Sequence, residues 1–166
     1  MRASVTSGNA ANNLAQPRVY RSRIQIRFAH CDPAGIVFYP RYFEMLNGVV
    51  EDWFAEELGF PFQEILKSGL GIPTVHLNVD FTAPSRLGDE LGVTLAVTAL
   101  GSSSVTIEVV FCGPAGDVRV RSEAVLVLTD ALAGCSAPIS ENLRARIELF
   151  LRRAPVVPTP ETKREK

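Results

Sequence analysis

The sequence predicts an α+β domain in which a five-stranded antiparallel sheet packs on one long helix, with a shorter helix at the C-terminal end. Two periodicities predict it. Between Pro40 and Leu58 apolar residues recur at spacings of three and four. Between Arg21 and Ala29, and again from Val75 to Thr129, apolar and polar residues alternate. The first pattern belongs to a helix that buries one stripe, the second to half-buried strands. The 166 residues are enough for one domain with a sizeable core.

Arg21 to Ala29 is read as the first strand, with Ile24, Ile26 and Phe28 on one side and Arg23, Gln25 and Arg27 on the other. In the long helix, Phe43, Leu46, Val50, Trp53 and Phe54 form the apolar stripe. Arg41, Glu44, Glu51, Asp52, Glu56 and Glu57 supply its polar surface. Gly59 ends this helix and Pro61 blocks its continuation. Phe62 to Lys67 suits a short helical turn before Gly69 and Gly71. Four strands follow, over Val75 to Thr82, Leu91 to Ala99, Val105 to Phe111 and Val118 to Thr129. Ala99 to Ser104 and Gly113 to Asp117 read as hairpin connections. Ser140 is placed to cap a terminal helix carrying Leu143, Ile147 and Phe150. The expected organisation is a flexible tail over residues 1–18, a single domain over 19–153 and a second flexible tail over 154–166. One long helix cannot cover both faces of such a sheet. A partner subunit or the terminal helix has to cover the second face or an edge.

Composition removes several function classes. Apolar residues make up 46% of the chain, charged residues 21%, and the net charge is -1. There is no basic run of the kind that tracks nucleic acid. No apolar stretch approaches the ~20 residues of a membrane span, and Met1 to Pro17 lacks the apolar centre of a signal peptide. Cys31, Cys112 and Cys135 are odd in number and lack metal-ligand spacing, which points to a reducing cytoplasm. His30 and His76 are the only histidines, and they form no zinc-type cluster with the cysteines. Neither a metal nor another cofactor is expected.

The segment Asp32-Pro-Ala-Gly-Ile-Val-Phe-Tyr-Pro-Arg-Tyr42 is the most informative in the chain. A carboxylate stands where a strand ends, Pro33 and Gly35 turn the chain, and Pro40 suits the first turn of the following helix. Asp32 therefore precedes a helix N-terminus, where unpaired backbone N–H groups and the positive end of the helix dipole collect. Such a carboxylate can attack a polarised carbonyl or activate water, while a first-turn N–H receives the developing oxyanion. Asp before Pro is also a common turn residue in its own right.

This motif, followed by a long aromatic-rich helix, resembles the 4-hydroxybenzoyl-CoA thioesterase family of the hotdog fold. The resemblance extends in element order over Arg21 to Leu128. It implies hydrolysis of an acyl-CoA thioester of an aromatic or medium-length acyl group. Asp32 is then the nucleophile or general base, and the backbone N–H of Tyr39 the oxyanion donor. Gly35 permits a close approach of the chain to substrate. It further implies a site between two subunits of a homodimer, paired into a homotetramer, with Asn47, Thr74 and His76 as substrate-contacting candidates. In the enzyme the motif most resembles, a helix Asp reads the substrate's para-hydroxyl. Counting from Pro40, Asn47 takes that place, and an amide cannot attract the hydroxyl proton as a carboxylate does. The third-to-fourth strand turn reads Gly101-Ser102-Ser103 where that enzyme carries basic residues. Arg86, Arg119, Arg121 and the Arg152-Arg153 pair are the alternative sources of charge for CoA phosphates. Glu44 and Glu51 are the runner-up carboxylates, on the helix. A carrier-protein thioesterase and a non-catalytic acyl-binding module are the alternative functions.

Overall fold

A computed structural model describes residues 17–152. Most of the two tails expected at the chain ends lies outside the described residues. Arg18 is inside them, and its N–H donates to the carbonyl of Leu149.

Strand β1 (Tyr20–Gln25) is followed by helices α1 (Arg41–Glu56) and α2 (Phe62–Lys67). Then come β2 (Leu70–Gly71), β3 (Thr74–Phe81), β4 (Glu90–Leu100), β5 (Ser104–Cys112) and β6 (Val118–Val127). The described chain closes with β7 (Thr129–Asp130), β8 (Cys135–Ser136) and α3 (Glu141–Glu148). The main sheet is antiparallel in the order β1-β4-β5-β6-β3, so β1 and β3 are its edges. A small second sheet, β2-β7-β8, was not expected; it uses the end of what the sequence presents as one long fourth strand.

Register explains the core. Val93, Leu95 and Val97 of β4 lie opposite Phe111, Val109 and Ile107 of β5, and Phe111, Ile107 and Val105 of β5 in turn face Val120, Ala124 and Leu126 of β6. All are buried, and they share one cluster with the stripe of α1. That stripe is Tyr42, Met45, Leu46, Val49, Val50, Trp53 and Phe54. Phe43, expected inside, sits on the flank and is exposed, because the 42-45-46-49-50-53 ladder points the helix one residue away from it. Helix α3, capped by the Ser140 side chain as expected, joins the same core through Leu143 and Ile147; Phe150, expected on the helix, lies just past its end and meets the Trp53 ring edge-on at 5.6 Å. Helix α3 therefore extends the helical layer rather than covering the opposite sheet face. On that face Glu108 is held by Arg121 and Arg152, each at 2.6 Å. Partial burial pushes the Glu108 carboxyl up, but the two guanidinium hydrogen bonds outweigh it and hold its pKa below the ordinary range.

The first strand ends earlier than its alternation predicts. After Ile26 the chain enters a single 3-10 turn over Phe28–His30, in which His30 Nδ1 accepts the N–H of Arg27 at 3.0 Å. This local bond competes with strand continuation. It turns Phe28 outward, where the side chain is 84% exposed instead of packing beside Ile26.

Candidate active site

The Asp32 segment is a tight hairpin. The N–H of Gly35 donates to the Asp32 carbonyl at 2.9 Å, closing a turn with Pro33 at its second position. The N–H of Ala34 donates to Asp32 Oδ1 at 2.8 Å. The returning arm is bonded through Asp32 N–H to Ile36 O and Phe38 N–H to His30 O, each at 3.0 Å. Oδ1 is thereby fixed by the turn, and no cation or second donor holds the carboxylate among the described residues. The remaining oxygen keeps its lone pairs for chemistry. Gly35 has φ +74°, while a Cβ built there meets no atom within 4 Å. Left-handed backbone, not a close approach within this chain, is the constraint on the position. Gly35→Ala is accordingly expected to cost about 1–2 kcal/mol of stability, read as a fall in the urea midpoint without a change in slope.

The hairpin runs straight into the start of α1. Arg41 N–H donates to Phe38 O, Tyr42 N–H to Tyr39 O and Phe43 N–H to Pro40 O, at 2.9 to 3.1 Å. Pro40 has no N–H to offer. The N–H of Tyr39 has no backbone acceptor among the described residues, so it is an available donor at the positive end of the helix. The ring of Tyr39 is 57% exposed and lies edge-on to Phe38, Phe43 and Phe81 at centroid distances of 5.5, 6.2 and 6.2 Å.

Two clefts share this hairpin. The first, of about 370 Å³, is lined by Phe28, Cys31, Asp32, Pro33, Gly35 and Leu87. The second, of about 270 Å³, has Ile36, Val37, Tyr39, Tyr42 and Phe81–Ser85 as its walls. Asp32 and Gly35 thus come together, with Tyr39 in the adjoining cleft. Asn47, Thr74 and His76 line neither. Asn47 is exposed one turn beyond Phe43, and Thr74 and His76 are exposed on the edge strand β3. One chain does not gather these three with Asp32.

Other candidates are occupied elsewhere. Glu44 is bound by Arg41 Nη1 at 2.7 and 3.0 Å and lines a separate cleft between β1 and α1. Cys31 Sγ donates to Arg27 O and His30 Nδ1 accepts from Arg27 N–H, so the two adjacent residues make no nucleophile–base pair. Among the basic candidates, Arg121 and Arg152 are bound to Glu108, and Arg119 to Asp117 and to the carbonyl of Pro84. Arg86, bridged to Ile36 beside the Asp32 turn, has no ion pair among the described residues. Arg153 lies outside the described residues. No group of three metal-ligating side chains occurs among the described residues.

Sequence reasoning missed Phe28, Leu87 and Ser85. The alternation puts Phe28 on the same side as Ile24 and Ile26; the signal against it is His30, whose Nδ1 accepts the Arg27 N–H. Leu87 and Ser85 reach the site only through the long-range pairing of Ile36 with Arg86.

The sequence matches the model of the thioesterase-like superfamily over residues 26–147, and the chain belongs to that superfamily. A 1,4-dihydroxy-2-naphthoyl-CoA hydrolase of Synechocystis sp. is 35% identical over 75 residues, covering 45% of this chain and 54% of the relative. That match spans about half of the relative's length. A 4-hydroxybenzoyl-CoA thioesterase of Pseudomonas sp. is 32% identical over 76 residues, covering 44% of this chain and 53% of its own. A solved gentisyl-coenzyme A thioesterase is similar at 28% identity with a TM-score of 0.69, over 78% of this chain and 99% of that one. The five-stranded antiparallel sheet on a long helix is the hotdog fold these structures share.

Proposed function

We propose that this protein hydrolyses an acyl-CoA thioester, with Asp32 as the reacting carboxylate and the Tyr39 N–H as oxyanion donor. One observation carries the reading. The Asp32 carboxylate is held by one oxygen on a turn whose returning arm leads directly to an N–H, at a helix N-terminus, that has no acceptor among the described residues. The donor stabilises negative charge on the carbonyl oxygen as the tetrahedral species forms. Direct attack by Asp32 gives a mixed anhydride and expels the thiolate, and water then cleaves the anhydride. Alternatively Asp32 takes a proton from water, which attacks in its place. The superfamily membership and the names of the relatives support thioester chemistry. Those names also support an aromatic acyl group, as does the exposed aromatic group around Tyr39. A medium-length acyl chain is the next choice.

The working form in this reading is a homodimer, itself paired into a homotetramer. The free edge of β3, with exposed Val75 and Phe81, is a surface two copies can share. Pairing there brings Thr74 and His76 to the subunit boundary. Three free thiols support a reducing cytoplasm, and no helix among the described residues is long and apolar enough to cross a membrane.

The test measures thiol release from a panel of aromatic and medium-chain acyl-CoAs. Turnover of at least one substrate, with aromatic acyl groups preferred, is the expected result; no release from any thioester overturns the reading. One observation favours a carrier-protein thioester as second substrate class: of the described basic candidates Arg119, Arg121 and Arg152 are all engaged by carboxylates within the chain, and only Arg86 has no ion pair among the described residues. Faster release from acyl-carrier protein than from the same acyl-CoA identifies that class.

A further inference from the structure

Tyr42 and Ser85 form a buried hydroxyl pair behind the wall of the second cleft, against the apolar core. Tyr42 is 4% exposed and Ser85 1%. The Tyr42 hydroxyl donates to Ser85 Oγ at 2.7 Å, across 43 residues of sequence. The Tyr42 ring is set between Phe81 and Phe111, at centroid distances of 5.9 and 5.6 Å. A phenylalanine facing an alanine would fill the same space without burying two hydroxyls, and replacing both partners of such a bond is often nearly neutral for stability. The pair therefore calls for an explanation other than packing.

Its connections supply one. Tyr42 stands in the first turn of α1, and its N–H donates to the Tyr39 carbonyl at 3.1 Å. Ser85 uses its own carbonyl to accept the N–H of Val37 at 2.9 Å, and Val37 is bridged to Cys31, next to Asp32. One residue thus grips the helix start with its side chain and the returning arm of the Asp32 hairpin with its backbone. The loop carrying Ser85 is itself pinned. Asp89 Oδ2 accepts the Arg86 N–H at 2.9 Å, Ile26 N–H donates to Asp89 O at 2.8 Å, and Arg119 donates to Pro84 O. Ile36 and Arg86 form a further bridge beside it.

We infer that Tyr42 and Ser85 are positioning residues, holding the Asp32 hairpin and the Tyr39 N–H in the relative placement that thioester hydrolysis needs. The inference rests on the function proposed above. In this role the two hydroxyls act on each other and not on the reacting carbonyl. The pair acts by fixing two elements that approach the reacting carbonyl separately, and a misplacement of about 1 Å can cost on the order of 10²-fold in rate.

The test compares the native protein with Tyr42→Phe, Ser85→Ala and the double variant, all measured well below the melting temperature of the least stable. Each single variant is expected to lower kcat by about tenfold or more with KM within about twofold, because the groups lost act on placement and not on binding. The double variant should be no slower than the slower single one, since the two hydroxyls act as a unit. The double variant also leaves no buried hydroxyl unpaired, so its melting temperature should stay close to native. Loss of kcat at near-native stability is a result that a purely structural role does not produce. Native kcat in the double variant overturns the inference, as does a fall in kcat that vanishes once unfolded protein is accounted for. Asp32-dependent thiol release that is indifferent to both hydroxyls sinks the positioning role alone. Absence of thiol release by the native protein from every thioester defeats the functional reading and the positioning role together.

Discussion

Asp32→Asn is expected to lower kcat for thioester hydrolysis by about 10²–10⁴-fold, the scale for removing a positioned acid, base or nucleophile. The substitution is well suited to the geometry. The amide oxygen of Asn can still accept the Ala34 N–H, the hydrogen bond that fixes Asp32 Oδ1, so the turn survives. What disappears is the charge and the free carboxylate oxygen. KM should change little, and the melting temperature should stay within a few degrees of native, because no ion pair to Asp32 is broken among the described residues. Steady-state kinetics on the best acyl-CoA of the panel, paired with thermal unfolding, measures both. Full turnover in Asp32→Asn would remove Asp32 from the chemistry. A comparable loss in Glu51→Gln, with Asp32→Asn active, would move the reacting carboxylate to the exposed face of α1. Glu44 is a weaker rival, since Arg41 already holds both of its oxygens.

The order of the elements was legible because long periodic segments leave few alternatives. The 3.6-residue pattern of α1, the alternation of β4 and β5, and the Ser140 cap each follow from local chemistry. The errors fall where a local bond or the third dimension decides. His30 captures the Arg27 N–H and ends β1 early, and no alternation of apolar residues can report that. The apolar stripe of α1 was read one residue off at Phe43, because Tyr42 and Phe43 are adjacent aromatics and only the sheet beneath them selects which turns inward. The candidate site shows the same division. Asp32, Gly35 and Tyr39 lie within eight residues, so a turn followed by a helix start brings them close without any tertiary information. Ser85 and Leu87 arrive through strand pairing across about fifty residues of chain, which a single sequence does not encode in any motif. Asn47, Thr74 and His76 are exposed and apart from Asp32 within one chain, so a role for them depends on a second copy.

Loss of the proposed Tyr39 donor is the second large effect expected, and it can be separated from loss of the Tyr39 side chain. A backbone N–H is unaffected by most substitutions, so Tyr39→Phe and Tyr39→Ala should retain kcat, with any effect of losing the exposed ring appearing in KM. Tyr39→Pro removes the N–H itself. Proline is accepted at helix starts, where its missing donor has no intrahelical partner to lose. Here the Tyr39 N–H has no backbone acceptor among the described residues, and the carbonyl that receives the Tyr42 N–H is retained by proline. The fold should therefore persist, while kcat falls by about 10²–10³-fold, the usual cost of one oxyanion donor. Far-ultraviolet circular dichroism and thermal unfolding would verify the helix, and the ratio of kcat in Tyr39→Pro to that in Tyr39→Ala isolates the donor from the ring. Near-equal turnover in the two would place the oxyanion at some other group, and the unpaired N–H at the start of α1 would then be an ordinary helix end.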